Sequence, residues 1–191
     1  MRAFILAVTI ACAAALPGLA ASFEERVAPC LACHGEKGQS ENPEVPSLGA
    51  QPADYTLIQL YLFREKQRKV EPMNEFATGL SDDDLRQFSD FISKLPAPKA
   101  TEGTADAARM QRGAALVQQH HCNFCHQQDL TGRDNIPRLA AQREDYLVKA
   151  LREYKSKARV GYEPIMLEVI PPVSDADILD LAYYIARSPS K

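Results

Sequence analysis

One five-residue pattern, Cys-x-x-Cys-His, occurs twice in the sequence, at 30–34 and at 122–126. On one turn of helix, residues i and i+3 face the same way and i+4 lies beside them, so the two thiols and the imidazole of each copy converge. Each thiol can add to a vinyl group of a porphyrin while the histidine ligates the iron, and the pattern is therefore typical of haem c attachment. The sequence predicts two covalently bound haem c groups, one on Cys30 and Cys33 with His34 as axial ligand, the other on Cys122 and Cys125 with His126.

Two other uses of paired cysteines compete with this interpretation. Four cysteines could close one tetrahedral zinc site, but zinc ribbons place their cysteine pairs closer together and need no histidine directly after each pair. A thioredoxin-like redox pair would need a single Cys-x-x-Cys near a βαβ pattern, and the sequence contains no such pattern. Haem attachment is the interpretation that uses both cysteine pairs and both histidines.

The N-terminal segment, residues 1–21, has the composition of a secretory signal peptide. The basic Arg2 precedes an apolar run over 3–16, and small residues close the segment. We expect cleavage there and export of the protein to the periplasm. A retained membrane anchor is the alternative, but the apolar run is shorter than the about 20 residues that a spanning helix needs. Cleavage also removes Cys12, so every remaining cysteine belongs to a haem motif.

Length and charge limit the classes of function. The chain after residue 21 has about 170 residues, enough for two small domains, each of which could use a large flat cofactor as part of its core. The formal net charge is −3, with nine basic and thirteen acidic residues over 22–99 and twelve of each over 100–191. This mild acidity argues against nucleic acid as a partner. The basic runs at 64–69 and 149–159 are expected to be solvated helix faces, or else to orient haem propionates or dock an acidic partner.

The two halves of the sequence share more than the haem motifs. Residues 46–51 (PSLGAQ) and Tyr55 correspond to residues 137–142 (PRLAAQ) and Tyr146 at an offset of 91, and residues 80–84 (LSDDD) correspond to 173–177 (VSDAD) at an offset of 93. A pattern kept at a near-constant offset indicates internal duplication. The sequence therefore predicts two tandem copies of one structural unit.

Each unit has the pattern of a small helical domain. Apolar residues at helical spacing predict helices over 22–33, 52–69 and 82–95 in the first half, and over 107–121, 143–158 and 175–187 in the second. Ser81 and Ser174 open the last helix of each half with capping-box spacing. No stretch predicts a strand of any length, and residues 96–106 have the composition of a linker. We expect an all-α protein with an N-terminal domain over 22–95 and a C-terminal domain over 107–191.

Two methionines are candidates for the sixth iron ligand that an electron-transfer haem needs. A soft thioether favours Fe(II) and raises the reduction potential relative to a second histidine. Only Met73 and Met166 recur at matching places, 39 residues after His34 and 40 residues after His126. Each lies close after a proline, in a segment that the sequence predicts to be a loop ahead of the last helix. The alternative role for such residues is flexible filling of the core.

Two histidines and two prolines flank the predicted ligands. His120 and His121 are predicted to lie on the same helix as His126, which would keep them from the opposite side of the haem and leave them at the surface or at the haem edge. Pro46 and Pro137 follow the ligand histidines by 12 and 11 residues. A backbone carbonyl there could accept the Nδ1–H of the histidine and tune the iron, although a simple turn proline is the alternative.

The residues that recur, namely 30–35, 46–51, Tyr55, Met73, 80–82 and their second-half equivalents, resemble the cytochrome c4 family of exported dihaem proteins with two class I cytochrome c domains. The resemblance covers nearly the whole chain after residue 21. It implies His/Met ligation in both domains, haems that face each other across a pseudo-twofold interface with their propionates nearby, and electron shuttling between redox enzymes. The second motif departs from the family pattern, because Gln127 and Gln128 follow it where a glycine-rich continuation is usual.

The function that this resemblance implies is electron shuttling in a periplasmic respiratory chain, with no bond-making chemistry. The expected partners are redox proteins such as a terminal oxidase, quinol-cytochrome c reductase or a dehydrogenase, with peripheral association with a membrane complex as a further option. One alternative is a dihaem cytochrome subunit of a dehydrogenase, such as flavocytochrome c sulfide dehydrogenase. Another is a haem enzyme with one open iron site, which would require that Met73 or Met166 does not ligate.

Overall fold

The structure is a computed structural model that describes residues 21–159 and 164–189. The predicted signal peptide, 1–21, lies outside the described residues except for its last residue. Within the described part of the chain there is no strand, and a single isolated bridge joins Arg133 and Ile136. No described helix has both the length and the apolar character needed to cross a membrane. The all-α fold that the sequence predicts is confirmed.

The helices follow the predicted repeat, with three short additional helices. They are α1 (Phe23–His34), α2 (Ala53–Arg64), α3 (Met73–Ala77) and α4 (Asp82–Lys94) in the first half, and α5 (Ala107–Gln119), α6 (Cys122–His126), α7 (Glu144–Lys155), α8 (Met166–Val169) and α9 (Asp175–Arg187) in the second. Capping side chains begin the last helix of each half as expected: the Ser81 hydroxyl accepts from the N–H of Asp84, and Ser174 does the same for Asp177.

The first half packs α4 against α1 and α2. Leu85 and Phe88 of α4 are buried against Val27 of α1 and Leu60 of α2. The ring of Phe23, at the start of α1, lies 5.7 Å from the ring of Phe88. Large aromatic side chains therefore fill the space between the first and the last helix of this half.

The second half packs α9 against α5 and α7, and its α5–α9 contact is close. A Cβ atom on Gly113 of α5 would lie 2.3 Å from the Cβ of Tyr184 and 2.5 Å from the carbonyl oxygen of Asp180. Only glycine allows the two helix backbones to approach to this distance. Around this crossing lies a continuous buried apolar cluster that comprises Leu116, Val117, Leu130, Ala140, Leu147, Ile170, Val173, Ile178, Leu181, Ala182, Ile185 and Ala186.

The predicted helix over 107–121 ends earlier than expected. It stops at Gln119, and His121 adopts a left-handed backbone with φ of 55°. The second haem motif therefore forms a separate short helix, α6, whereas the first motif is the last part of α1. The prediction that His120 and His121 share a helix with His126 is wrong, because this backbone break separates them from it.

Residues 96–106 form neither helix nor strand and run between the two halves. The backbone N–H of Lys99 donates to the side chain of Gln39 at 3.1 Å, and the N–H of Thr101 donates to the carbonyl of Ala186 at 2.9 Å. The segment is thus held by hydrogen bonds to the first half at one end and to the second half at the other.

Candidate haem-binding sites

The cysteine pairs stand ready for covalent attachment in both halves. All four thiols are free: Cys30 and Cys122 are half-buried, while Cys33 and Cys125 are exposed. Burial raises the pKa of Cys30 and of Cys122, so both are neutral thiols at pH 7. Because α1 and α6 are helical through the motifs, each pair lies on one turn, as thioether formation with the two vinyl groups of one porphyrin requires.

The two histidines are buried and oriented by the same kind of contact. The Nδ1 atom of His34 lies 2.8 Å from the carbonyl oxygen of Pro46, and Nδ1 of His126 lies 2.8 Å from that of Pro137. A carbonyl oxygen can only accept, so Nδ1 carries the proton in each ring. Burial lowers the pKa of both histidines and keeps them neutral. The lone pair of Nε2 is then free on each ring, as an iron ligand requires.

Met73 opens α3 and Met166 opens α8, and both side chains are half-buried. The prediction that they lie in loops is wrong, since each is the first residue of a short helix. In the first turn of α3, the buried side chain of Asn74 accepts from the N–H of Val70 and donates to the carbonyl of Phe63, which ties the segment after α2 to the start of α3. Met166 packs against the apolar cluster of the second half. The two methionines thus hold matching places, and their ligation of iron stays a prediction.

Two arginines in the predicted basic faces are buried instead. Arg68 is 8% exposed and Arg159 is 6% exposed, and neither forms an ion pair with a carboxylate of the described residues. The Nε atom of Arg68 is buried without a hydrogen-bond partner in the described structure. A buried guanidinium without an anionic partner is costly, so this pair suits a ligand that carries negative charge, such as haem propionates. The expectation of a solvated face is wrong for these two residues.

Each of these arginines reaches the opposite half of the molecule. Arg159 donates from Nη1 to the hydroxyl of Tyr146 at 3.1 Å and from Nη2 to the hydroxyl of Tyr55 at 3.2 Å. Arg68 donates to Oε1 of Gln59 at 2.7 Å, and its charge acts on Tyr146. Burial alone would raise the pKa of Tyr146, but the charges of Arg159 and Arg68 outweigh it and lower that pKa to about 8. For Tyr55 burial prevails and raises the pKa to about 12. Two tyrosines and two arginines thus form one polar cluster between the halves.

Sequence reasoning missed this cluster, although the repeat contained a signal for it. Arg68 and Arg159 are separated by 91 residues, the same offset that relates Tyr55 to Tyr146. On a solvated helix face, the exact position of a single charged residue need not be the same in the two copies of a repeat. An arginine that recurs in register with an aromatic residue therefore indicates a contact.

Comparison with known proteins gives a consistent result. The Cytochrome c family profile matches residues 23–96 and again 110–188. A cytochrome c4 of Pseudomonas aeruginosa is 30% identical over 179 residues, covering 88% of this chain and 88% of the relative. The chain belongs to the cytochrome c4 family. The crystal structure of reduced recombinant cytochrome c4 from Pseudomonas stutzeri superposes with a TM-score of 0.77 at 31% identity, covering 85% of this chain and 95% of that one. A further relative, a "Thiosulfate dehydrogenase electron acceptor" of Thiomonas intermedia, is 29% identical over 92% of this chain and 85% of its own length.

Cytochromes c4 are dihaem electron-transfer proteins, and this chain accordingly carries two covalently bound haem c groups. When bound, each haem supplies an iron that alternates between Fe(II) and Fe(III). The residues present fit that group: a cysteine pair on one helical turn, a buried neutral histidine with a free Nε2, and buried guanidiniums that lack carboxylate partners in the described structure. The polypeptide holds and orients the haems, while the chemistry is that of the iron.

The departure of this cytochrome c4 chain after its second haem motif leaves the backbone path unchanged. Gly35 follows the first motif with φ of 87° and ψ of 141°, and Gln127 follows the second with φ of 73° and ψ of 160°. This conformation is almost exclusive to glycine and costs about 1–3 kcal/mol for other residues. The second half thus keeps the turn of its motif at the expense of local strain.

Proposed function

We propose that the protein is an exported electron carrier that performs no bond-making chemistry. His34 and Met73 are the axial ligands of one haem iron, and His126 and Met166 are those of the other. The observation that carries this proposal is the matched placement of the two methionines, each at the first residue of a short helix ahead of the last helix of its half. An iron with two stable protein ligands has no position left for a substrate and is suited to electron transfer alone.

The proposed partners are other redox proteins: a dehydrogenase or quinol-cytochrome c reductase as donor and a terminal oxidase as acceptor. Large apolar side chains are exposed beside the predicted ligand segments: Phe124 inside the second motif is 84% exposed, Phe76 in α3 is 47% exposed, and Ile165 next to Met166 is 44% exposed. Apolar and aromatic groups at the centre of small contacts are usual in transient complexes. They support electron exchange through brief encounters close to the haem attachment sites.

A narrower candidate is a carrier that accepts electrons from thiosulfate oxidation. The Thiomonas relative that bears such a name covers almost the whole chain, which favours this candidate over other dehydrogenases. A stopped-flow experiment on the oxidised protein distinguishes reduction by a thiosulfate dehydrogenase from reduction by quinol-cytochrome c reductase. Rapid reduction by a thiosulfate dehydrogenase with thiosulfate, and slow reduction by quinol-cytochrome c reductase, would favour the narrower candidate, and the reverse order would exclude it.

Export is proposed from the signal-peptide composition of residues 1–21. Expression of the full chain in a bacterium that attaches haem c, followed by periplasmic extraction and mass measurement, tests it. A periplasmic holoprotein that begins at or near residue 22 supports export with cleavage. A cell-associated product of full length would contradict it.

The closed iron sites are tested by magnetic circular dichroism of the oxidised holoprotein. For the wild type, we expect the sulfur-to-iron charge-transfer band to have the intensity of two methionine-ligated haems. Met73→Ala and Met166→Ala should each lose half of this intensity. Intensity for one haem in the wild type would leave the other iron open or differently ligated. Peroxide or sulfur-compound chemistry would then replace the carrier proposal.

A further inference from the structure

Two buried glutamines hold the halves of the molecule together through backbone hydrogen bonds. Gln142, in the second half, accepts at Oε1 from the N–H of Ser47 at 2.8 Å and donates from Nε2 to the carbonyl of Ser47 at 2.8 Å. Gln51, in the first half, donates to the carbonyl of Arg138 at 2.8 Å and accepts from its N–H at 3.1 Å. Both glutamines are 5% exposed. The orientation of each amide is unambiguous, because a backbone N–H can only donate and a carbonyl can only accept.

The residue that Gln142 contacts directly follows the proline that orients the first haem ligand. The carbonyl of Pro46 and the N–H of Ser47 belong to one peptide group. At its oxygen this group accepts the Nδ1–H of His34, at 2.8 Å. At its nitrogen the same group donates to Oε1 of Gln142. One planar peptide thus connects the ligand histidine of the first half to a side chain of the second half.

The second half contains the mirror arrangement. The peptide between Pro137 and Arg138 accepts the Nδ1–H of His126 at 2.8 Å and donates to Oε1 of Gln51 at 3.1 Å. The two chains of hydrogen bonds therefore cross the interface in opposite directions. Each ligand histidine ends a chain that begins on a glutamine of the other half.

Hydrogen bonds that share a peptide group reinforce one another. An acceptor on the peptide N–H pushes electron density toward its carbonyl oxygen, which then accepts more strongly, by about 10–30% per bond in condensed-phase estimates. A stronger acceptor at Nδ1–H makes the imidazole a better electron donor to iron and favours Fe(III). Ser47 is 2% exposed, so water does not replace the glutamine as acceptor. The strength of each histidine contact is thus coupled to the contact between the halves.

We propose that Gln142 tunes the iron held by His34, and that Gln51 tunes the iron held by His126, each through the proline peptide of the opposite half. The glutamines are positioning residues: neither touches a ligand histidine, and each acts on it across one peptide group. Docking of the two halves then lowers the reduction potential of both haems, and a change at one side of the interface is felt by the haem of the other side.

The test is a pair of substitutions in the holoprotein with both haems attached. Gln142→Met keeps side-chain length and removes both amide groups. In the reduced, diamagnetic protein we expect the Nδ1–H proton resonance of His34 to move to lower frequency, as its hydrogen bond weakens. The midpoint potential of the first haem, followed by NMR-detected redox titration, rises more than that of the second. Gln51→Met gives the reverse assignment, with His126 and the second haem responding.

Two further variants separate this tuning from simple loosening of the interface. Gln142→Glu keeps an oxygen that accepts from Ser47 and removes the amide donor, so the His34 resonance stays in place or moves to higher frequency. Lys149→Gln removes the interdomain ion pair with Glu44, an N–O distance of 3.1 Å, and leaves both histidine resonances unchanged. The proposal is overturned if the haem in the half of the substitution responds more strongly, if both haems respond equally, or if Gln142→Met and Gln142→Glu shift His34 in the same direction.

Discussion

The two halves of the molecule pair their first and last helices in different ways. In the second half α5 and α9 touch at Gly113, where the backbones come too close for any side chain. In the first half α1 meets α4 through the ring of Phe23, which lies 5.7 Å from Phe88 and 5.3 Å from Phe91. The difference teaches that a duplicated unit can keep its helix order and its ligand positions while the packing between its helices changes.

The difference also extends to the cores. The buried apolar cluster of the second half spans α5, α7, α9 and the loops between them. The corresponding cluster of the first half consists of Val27, Leu60, Leu85 and Phe88, with partly buried residues around it. A small domain with little buried apolar surface depends on its cofactor for stability. The first half is therefore the one that relies more on haem.

The largest expected effect comes from preventing haem attachment in one half at a time. With Cys30→Ser and Cys33→Ser the first half should lose its native packing, since its apolar core is small. With Cys122→Ser and Cys125→Ser the second half should keep much of its helical structure around its larger cluster. Limited proteolysis with mass spectrometry shows which half is cleaved. Equal protection of both halves would contradict the claim that the first half relies more on its haem than the second.

A smaller effect is expected for Gly113→Ala. The new methyl group meets the carbonyl oxygen of Asp180 at 2.5 Å, and a backbone atom cannot move aside without shifting α9. Overpacking of this kind costs about 1–3 kcal/mol, so we expect a loss of about 3 kcal/mol in the free energy of unfolding of the second half. Urea denaturation measures it. Gln111→Ala, at an exposed position of the same helix, is the control and should change stability by less than about 0.5 kcal/mol.

The two residues that follow the haem motifs offer a matched pair of substitutions. Gln127→Gly relieves the strain of a positive φ and should stabilise the second half by about 1 kcal/mol. Gly35→Ala should destabilise the first half, because its Cβ would lie 2.0 Å from the carbonyl oxygen of Gln39. Thermal unfolding of the two holoproteins should therefore shift in opposite directions. A loss of stability in both would show that Gln127 makes a compensating contact.

The smallest expected effect is a pH dependence of the free energy of unfolding, which arises at the α5–α9 crossing. Hydrogen bonds from Arg112 and Arg109 lower the pKa of Asp180. The folded state then binds fewer protons than the unfolded state, so this carboxylate stabilises the fold at neutral pH and loses that contribution as acid protonates it below its usual range. Asp180→Asn should reduce stability at pH 7, and the difference from wild type should shrink toward about pH 3. A constant difference across this range in urea denaturation would contradict the assignment.

The helical class and the haem motifs could be predicted because each is encoded by neighbouring residues, and the repeat because it recurs at a near-constant offset. Sequence reasoning misplaced Met73 and Met166 in loops, since helices of four or five residues carry no measurable periodicity and are stabilised by contacts such as those of Asn74. The break at His121 was missed because its left-handed backbone is not marked by a glycine.

Residues at the interface were harder to interpret from sequence. Gln51 and Gln142 were seen to repeat, but the partner of each amide is a backbone group about 90 residues away in the chain. The burial of Arg68 and Arg159 likewise depends on side chains of the opposite half. Periodicity describes one helix at a time, and it does not predict contacts that form only when two units dock.

The crossed contacts between the halves have a consequence for how such a molecule arises. Gln51 and Gln142 each bind the residue that follows the proline of the opposite half, so this contact is isologous in character. An isologous contact needs no difference between its two sides. Two identical single-haem units can therefore make it as a homodimer, and a linker between them turns the same contact into an intramolecular one.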